Sequence, residues 1–136
     1  MNGFLPQRSP RTQRGLKDVL TESIIACAIE VHRILGPGLL ESIYEEALCH
    51  EFQLRGIPFE RQKEIDVVYK GKAIKGQRLD LIVDGRVVIE IKAVKTMHDA
   101  FTSQALSYLK STGLKRALII NFGAPKLVSG IKRLSL

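Results

Sequence analysis

Residues 78–92 read RLDLIVDGRVVIEIK. Asp84-Gly85 is a turn signal between two apolar runs, so the stretch predicts a β-hairpin. Leu79, Leu81 and Val83 lead into the turn, and Val87, Ile89, Ile91 and Ala93 lead out of it, all at odd positions. Even positions carry Asp80, Asp84, Arg86, Glu90 and Lys92, with Ile82 and Val88 as exceptions. Side chains alternate faces along a strand, so the loop length decides which residues meet. A two-residue loop would pair Val83 with Arg86 and split the apolar set over both faces. A three-residue loop, with Gly85 in the left-handed conformation of a G1 bulge, keeps odd with odd. It places the seven odd apolar residues on one core face and Asp80, Glu90 and Lys92 together on the other. An odd-length connection is therefore expected.

Two carboxylates and a lysine on one sheet face suit metal-dependent phosphodiester hydrolysis. The carboxylates hold one or two divalent ions, and the lysine helps position or activate the attacking water. A half-buried antiparallel hairpin also alternates apolar and polar by default, and its polar face is then simply solvated. Glu90 and Lys92 alone would read as a cross-sheet ion pair; Asp80 on the same face shifts the balance towards a site.

The chain has 136 residues, which suits one domain with one core. Hydrophobic residues make up 45%, so it reads as globular, and with no tryptophan the core is aliphatic. The formal charge of +7 favours polyanionic partners such as nucleic acid, or an acidic membrane surface. No run of about 18 apolar residues exists, so no transmembrane helix is expected, and the start of the chain lacks the apolar stretch of a signal peptide. Cys27 and Cys49 fall in predicted helices without a CxxC or Cys/His cluster, which reads as two buried free thiols in a reducing cytoplasm.

Residues 1–16 hold Pro6, Pro10, three arginines and no acid, and read as a flexible basic tail before a single domain over 17–136. Helical spacing of Val19, Ile24, Ile25, Ala28, Ile29, His32 and Leu35 predicts a helix over 18–35, broken by Gly36-Pro37-Gly38. A second helix is expected from about Leu39 to Leu54, stopping at Gly56. Alternation over Pro58–Tyr69 predicts a strand, Lys70-Gly71 a turn, and the next strand runs through Gly76 into the Asp80 hairpin. A helix over 99–112, an inner strand over 117–122 and a short strand over 131–136 complete an α/β layered domain with a mixed central sheet.

Glu41 starts the second helix, where the helix dipole favours an acid, and Tyr44 lies at i+3 on the same face, which makes it a candidate catalytic side chain beside Glu41. Glu45 and Glu46 add charge beside it. Gln104 and Tyr108, spaced i, i+4, share a face of the later helix and could contact a phosphate or an attacking water.

These pieces together resemble a known family. Gly38-Leu39-Leu40-Glu41-Ser42-Ile43-Tyr44 matches the GxxExxY signature, and Asp80 with Glu90-Ile91-Lys92 matches the associated Asp…Glu-x-Lys pattern. Gln104 to Tyr108, with Leu118-Ile119-Ile120-Asn121-Phe122-Gly123 after it, is similar as well, so the resemblance covers roughly residues 18–135. The GxxExxY family is placed in the PD-(D/E)XK nuclease-like superfamily. The resemblance implies a restriction-endonuclease-like α-β-β-β-α-β core, a mixed sheet flanked by helices, and Mg²⁺- or Mn²⁺-dependent cleavage of DNA or RNA. Carried to matching positions, Asp80 and Glu90 would be metal ligands, Glu41 a further acid at the metal, and Lys92 the water-positioning lysine. Gln104 and Tyr108 resemble a Gln-x-x-x-Tyr helix motif. Leu79 stands where the superfamily name has proline, and Phe101 stands three residues before Gln104, where a histidine often lies just ahead of the glutamine.

Three functions are compatible with these features. The first is a metal-dependent nuclease, with Arg61, Lys63, Lys70, Lys72, Lys75 and Arg78 tracking the nucleic-acid backbone. The second is a non-catalytic nucleic-acid-binding module on the same fold. The third is a protein-interaction module, a homodimer through the apolar helices. An inactive module has little need of Asp80, Glu90 and Lys92 together, which favours the enzyme.

Overall fold

The structure is a computed structural model that describes residues 10–136, with side chains from Val19 onward. The chain folds as α1 (Pro10–Leu35), α2 (Glu41–Leu54), β1 (Phe59–Tyr69), β2 (Lys72–Val83), β3 (Val87–Lys92), α3 (Asp99–Thr112), β4 (Arg116–Asn121) and β5 (Ile131–Ser135), with a short 3₁₀ turn at Leu127–Gly130 before β5. The first helix is longer than expected. Its opening turns take in residues assigned from sequence to the basic tail, of which residues 1–9 lie outside the described residues. Among the described residues no helix is long and apolar enough to cross a membrane.

The five strands form one sheet in sequential order. β1, β2 and β3 are antiparallel, α3 carries the chain over to β4 parallel to β3, and β5 returns antiparallel. The mixed sheet results from connection length, since hairpins join antiparallel neighbours and a helix is needed to restart a strand in parallel. Helices cover both faces. α1 and α2 pack Ile24, Leu48 and Phe52 against Leu81, Ile89, Ile91 and Ile120, while α3 packs Ala105, Tyr108 and Leu109 against Ile82, Val88 and Ile119. Ile82 and Val88, the exceptions to the odd–even rule, are therefore core residues of the α3 side. The even face of the hairpin is a second core surface rather than a solvated one.

The β2–β3 connection is odd, as expected, with Val83 opposite Val87 and Leu81 opposite Ile89. Gly85 is left-handed at φ 65°, and Asp84 also has positive φ, 52°, a conformation Asp tolerates better than most side chains. Arg86 N–H closes the turn on the Val83 carbonyl at 3.0 Å.

One expectation fails within β2. Leu79 packs in the α3-side core while Leu81, Val83 and Ile91 pack in the other, so the seven odd residues do not share a face. The cause lies in β1. Gln62 adopts φ 50°, and the β1–β2 pairing passes from Arg61–Leu81 to Lys63–Leu79 without pairing Gln62 to Asp80. A left-handed residue inside a strand rotates the rest of that strand about its axis, and β2 turns with its partner. Both strands change faces at this point, which is where Asp80 sits.

Candidate active site

Asp80 and Glu90 lie on adjacent strands one step beyond the last regular β2–β3 pair. There the carboxylates replace the backbone ladder. Glu90 Oε2 accepts the Asp80 N–H at 2.9 Å, and Asp80 Oδ2 accepts the Ile91 N–H at 2.8 Å. Each acid is fixed by the strand that carries the other. Among the described residues, Asp80 Oδ1 and Glu90 Oε1 have no hydrogen-bond or ion-pair partner. Glu90 is only 4% exposed and Asp80 is half-buried.

The electrostatics arise from this crowding. Burial, and next the charge of Asp80, push the Glu90 carboxyl up to about 8; the Asp80 N–H and Lys92 pull the other way, and Glu45 adds to the rise. Burial raises Asp80 as well, opposed first by the Ile91 N–H, with Glu45 and Glu41 raising it and Lys92 lowering it. Tyr108 is pushed up to about 12 by burial and by the charges of Glu90 and Asp80. Its hydroxyl donates to the Arg78 carbonyl at 3.1 Å.

Lys92 is half-buried and makes no ion pair with either acid among the described residues; its Nζ lies 4.4 Å over the Phe101 ring instead. The strand beneath it is clamped. Asn121, its neighbour on β4, is buried, accepts the Val94 N–H at 2.9 Å and the Gly123 N–H at 3.0 Å, and donates to the Val94 carbonyl at 2.9 Å. Gly123 sits so close to this segment that a Cβ there would meet the Val94 carbonyl oxygen at 2.5 Å.

The structure brings Asp80, Glu90, Lys92 and Tyr108 together and treats the other expected residues differently. Glu41 is exposed in the first turn of α2 and reaches Asp80 through its charge alone. Among the described residues no three carboxylate, imidazole or thiol groups stand together as a metal cage, so the expected trio of Glu41, Asp80 and Glu90 is not assembled. Tyr44 does not share an exposed face with Glu41. It is fully buried, stacks on Phe122 at 4.6 Å, and closes the loop between α1 and α2 by donating to the Gly36 carbonyl and accepting the Leu39 N–H at 3.1 Å. Gln104 is exposed, and no hydrogen bond holds its side chain among the described residues. Cys27 and Cys49 are free and buried, as expected.

Sequence reasoning gave too little weight to Glu45. It is 8% exposed, ion-pairs with Arg61 at 3.0 Å and accepts from Gln62 at 2.9 Å, and it bears on both Asp80 and Glu90. Its spacing of one helical turn from Glu41 was the available signal. Phe101 as the seat of Lys92 had no local signal.

The residues present fit a hard divalent ion. Among the described residues Asp80 and Glu90 each keep an unpartnered oxygen and neither makes an ion pair, and Mg²⁺ commonly takes one or two protein carboxylates, completing its shell with water and substrate oxygens.

No curated protein and no solved structure matches the chain. A family model described as the PD-(D/E)XK nuclease superfamily matches residues 18–134, which span every element from the body of α1 to β5 and include both carboxylates and Lys92. The chain belongs to the PD-(D/E)XK nuclease superfamily.

Proposed function

We propose that the protein is a metal-dependent nuclease that hydrolyses phosphodiester bonds of nucleic acid with Mg²⁺ or Mn²⁺. The observation that carries this reading is the pair of carboxylates locked to each other's strands, each with one oxygen left over, raised in pKa and without a cation partner among the described residues. Asp80 and Glu90 would hold the ion, with Glu41 and Glu45 adding negative charge from α2. A bound ion would stabilise charge on the scissile phosphate and supply a water of lowered pKa. Lys92 would leave its seat on Phe101 to contact that phosphate or the water. Tyr108 keeps its proton at neutral pH and braces the Arg78 carbonyl beside Asp80. Gln104 faces solvent on the same helix, open to substrate. The buried free thiols fit a cytoplasmic setting.

The test is cleavage of labelled single- and double-stranded DNA and RNA with Mg²⁺ or Mn²⁺, run beside Glu90→Gln. Metal-dependent cutting by the wild type alone supports the reading. Binding without cutting under every condition would instead make the chain a non-catalytic nucleic-acid module.

A further inference from the structure

β3 pairs with β2 only over Leu81–Val83, yet β1 and β2 stay paired with each other out to Tyr69 and Lys72. Beyond Asp80 the sheet therefore continues as a two-stranded ribbon. Its base still leans on α3, where Gln77 Nε2 donates to Ser107 Oγ at 2.9 Å. Val67 and Val68 border a cleft against Ser107, Lys110 and Ser111 of α3, and further out the ribbon is open: Val67, Val68, Tyr69 and Ile74 are all exposed, Val68 by 69%. The register shift between Ile65 and Val67, opposite left-handed Gly76, bends the ribbon as it leaves the body.

Charge selects the occupant of this surface. Towards the base, lysines and arginine are paired with acids: Lys63 with Glu60, Lys75 with Asp66 and Arg78 with Glu64. From Val67 to Lys75 there is no acid at all. At the turn, Lys70 and Lys72 have no ion pair among the described residues, and Lys70 Nζ lies 5.5 Å from the Tyr69 ring centroid. An exposed aromatic beside unpaired lysines on a ribbon tip suits a polyanion with apolar surface between its charges, which is a nucleic acid.

We propose that the outer β1–β2 ribbon is an arm that lies in the major groove of duplex DNA, with Lys70 and Lys72 on backbone phosphates and Tyr69 and Val68 against the groove wall. The proposal rests on the nuclease reading and adds where the substrate runs. The major groove of B-form DNA, about 12 Å wide, admits a two-stranded ribbon. The deep, narrow groove of A-form RNA does not. Eight residues separate Lys72 from Asp80 along β2, at most about 26 Å at the rise of a strand. That reach corresponds to about eight base pairs from the scissile bond.

The experiment measures fluorescence anisotropy of a labelled DNA duplex, about two helical turns long, in chelator, over a salt series, with wild type, Lys70→Ala/Lys72→Ala and Tyr69→Ala; the cleavage assay runs in parallel. Circular dichroism should be the same for all three proteins, because the substituted side chains are exposed. The double variant should bind at least about tenfold more weakly at low salt, and the log–log salt slope should flatten by about 2. Duplex RNA should bind more weakly than DNA. Unchanged affinity and slope, or a preference for duplex RNA, overturns the arm. So does a wild-type dimer that Val68→Glu splits while DNA affinity stays the same. If wild type cuts with metal while the double variant binds and cuts equally well, the arm falls and the nuclease reading stands. If wild type neither binds nor cuts any nucleic acid, both fall.

Discussion

Replacing Glu90 by glutamine tests the site through the protein's own stability. The Glu90 carboxyl is raised from 4.5 to about 8 by burial and by Asp80. The folded state therefore binds a proton more tightly than the unfolded chain. Between about pH 4.5 and pH 8 the native protein holds more protons, so stability falls as pH rises through this window. The full stability is present below the unfolded value and is lost by the time the folded value is passed. A rise of this size corresponds to roughly 5 kcal/mol between the two protonation states. For a chain of 136 residues that is on the order of 15–20 °C in Tm. The glutamine keeps the shape, and its amide oxygen can still accept the Asp80 N–H, but it has no charge to desolvate. The expected result is a wild-type Tm that drops from mildly acid to mildly alkaline pH and a variant Tm that stays much flatter. The variant should be the more stable protein at high pH without metal. Added Mg²⁺ should raise the wild-type Tm under those conditions, by about 2.7 kcal/mol of stability at a hundredfold excess over Kd, and leave the variant unmoved. Calorimetry or dye-monitored melting across pH reads both. Parallel pH curves for the two proteins would refute the account of Glu90 as a desolvated, like-charge-crowded acid.

Lys92→Ala should cut cleavage by about a hundredfold or more while the far-UV spectrum stays unchanged, because Lys92 is half-buried with its Nζ over the Phe101 ring and makes no ion pair among the described residues; full activity in this variant would remove lysine from the site. Asn121→Ala strips the Val94 and Gly123 backbone groups of their partners and should cost about 3 kcal/mol in denaturant unfolding. Gly123→Ala forces a Cβ against the Val94 carbonyl and should cost about 1–3 kcal/mol, with a fall in activity because the displaced segment lies directly after Lys92.

The order of elements was legible because each carries its own periodicity and its own stop. The helix expected over 99–112 is Asp99–Thr112, ended by left-handed Gly113, and the β2–β3 loop length came from the parity of apolar residues alone. Parity failed at Leu79 because alternation is a rule for regular strands, and nothing local marks Gln62 as left-handed. Asp80 and Glu90 could be paired because both lie within one hairpin. Tyr44 was misread because i, i+3 spacing says that two residues are neighbours, not which way the helix is turned. Glu41 lies exposed at its first turn while Tyr44 and Glu45 face inward. The meeting of Lys92 with Phe101, and of Glu45 with Arg61, joins separate elements, and a single sequence carries no record of such contacts.

The two carboxylates are also rungs of the sheet. Each takes a backbone N–H that an ordinary strand pair would have satisfied with a carbonyl, so the site and the end of the β2–β3 ladder are one object. Asparagine and glutamine would hold the same two N–H groups and bear none of the charge penalty. A chain built only for its ladder would gain stability from the amides. Carrying acids on these rungs puts a charge penalty at the end of the hairpin that a proton on Glu90 relieves below about pH 8, and that a bound cation would relieve above it, so that filling the site would help close the strands.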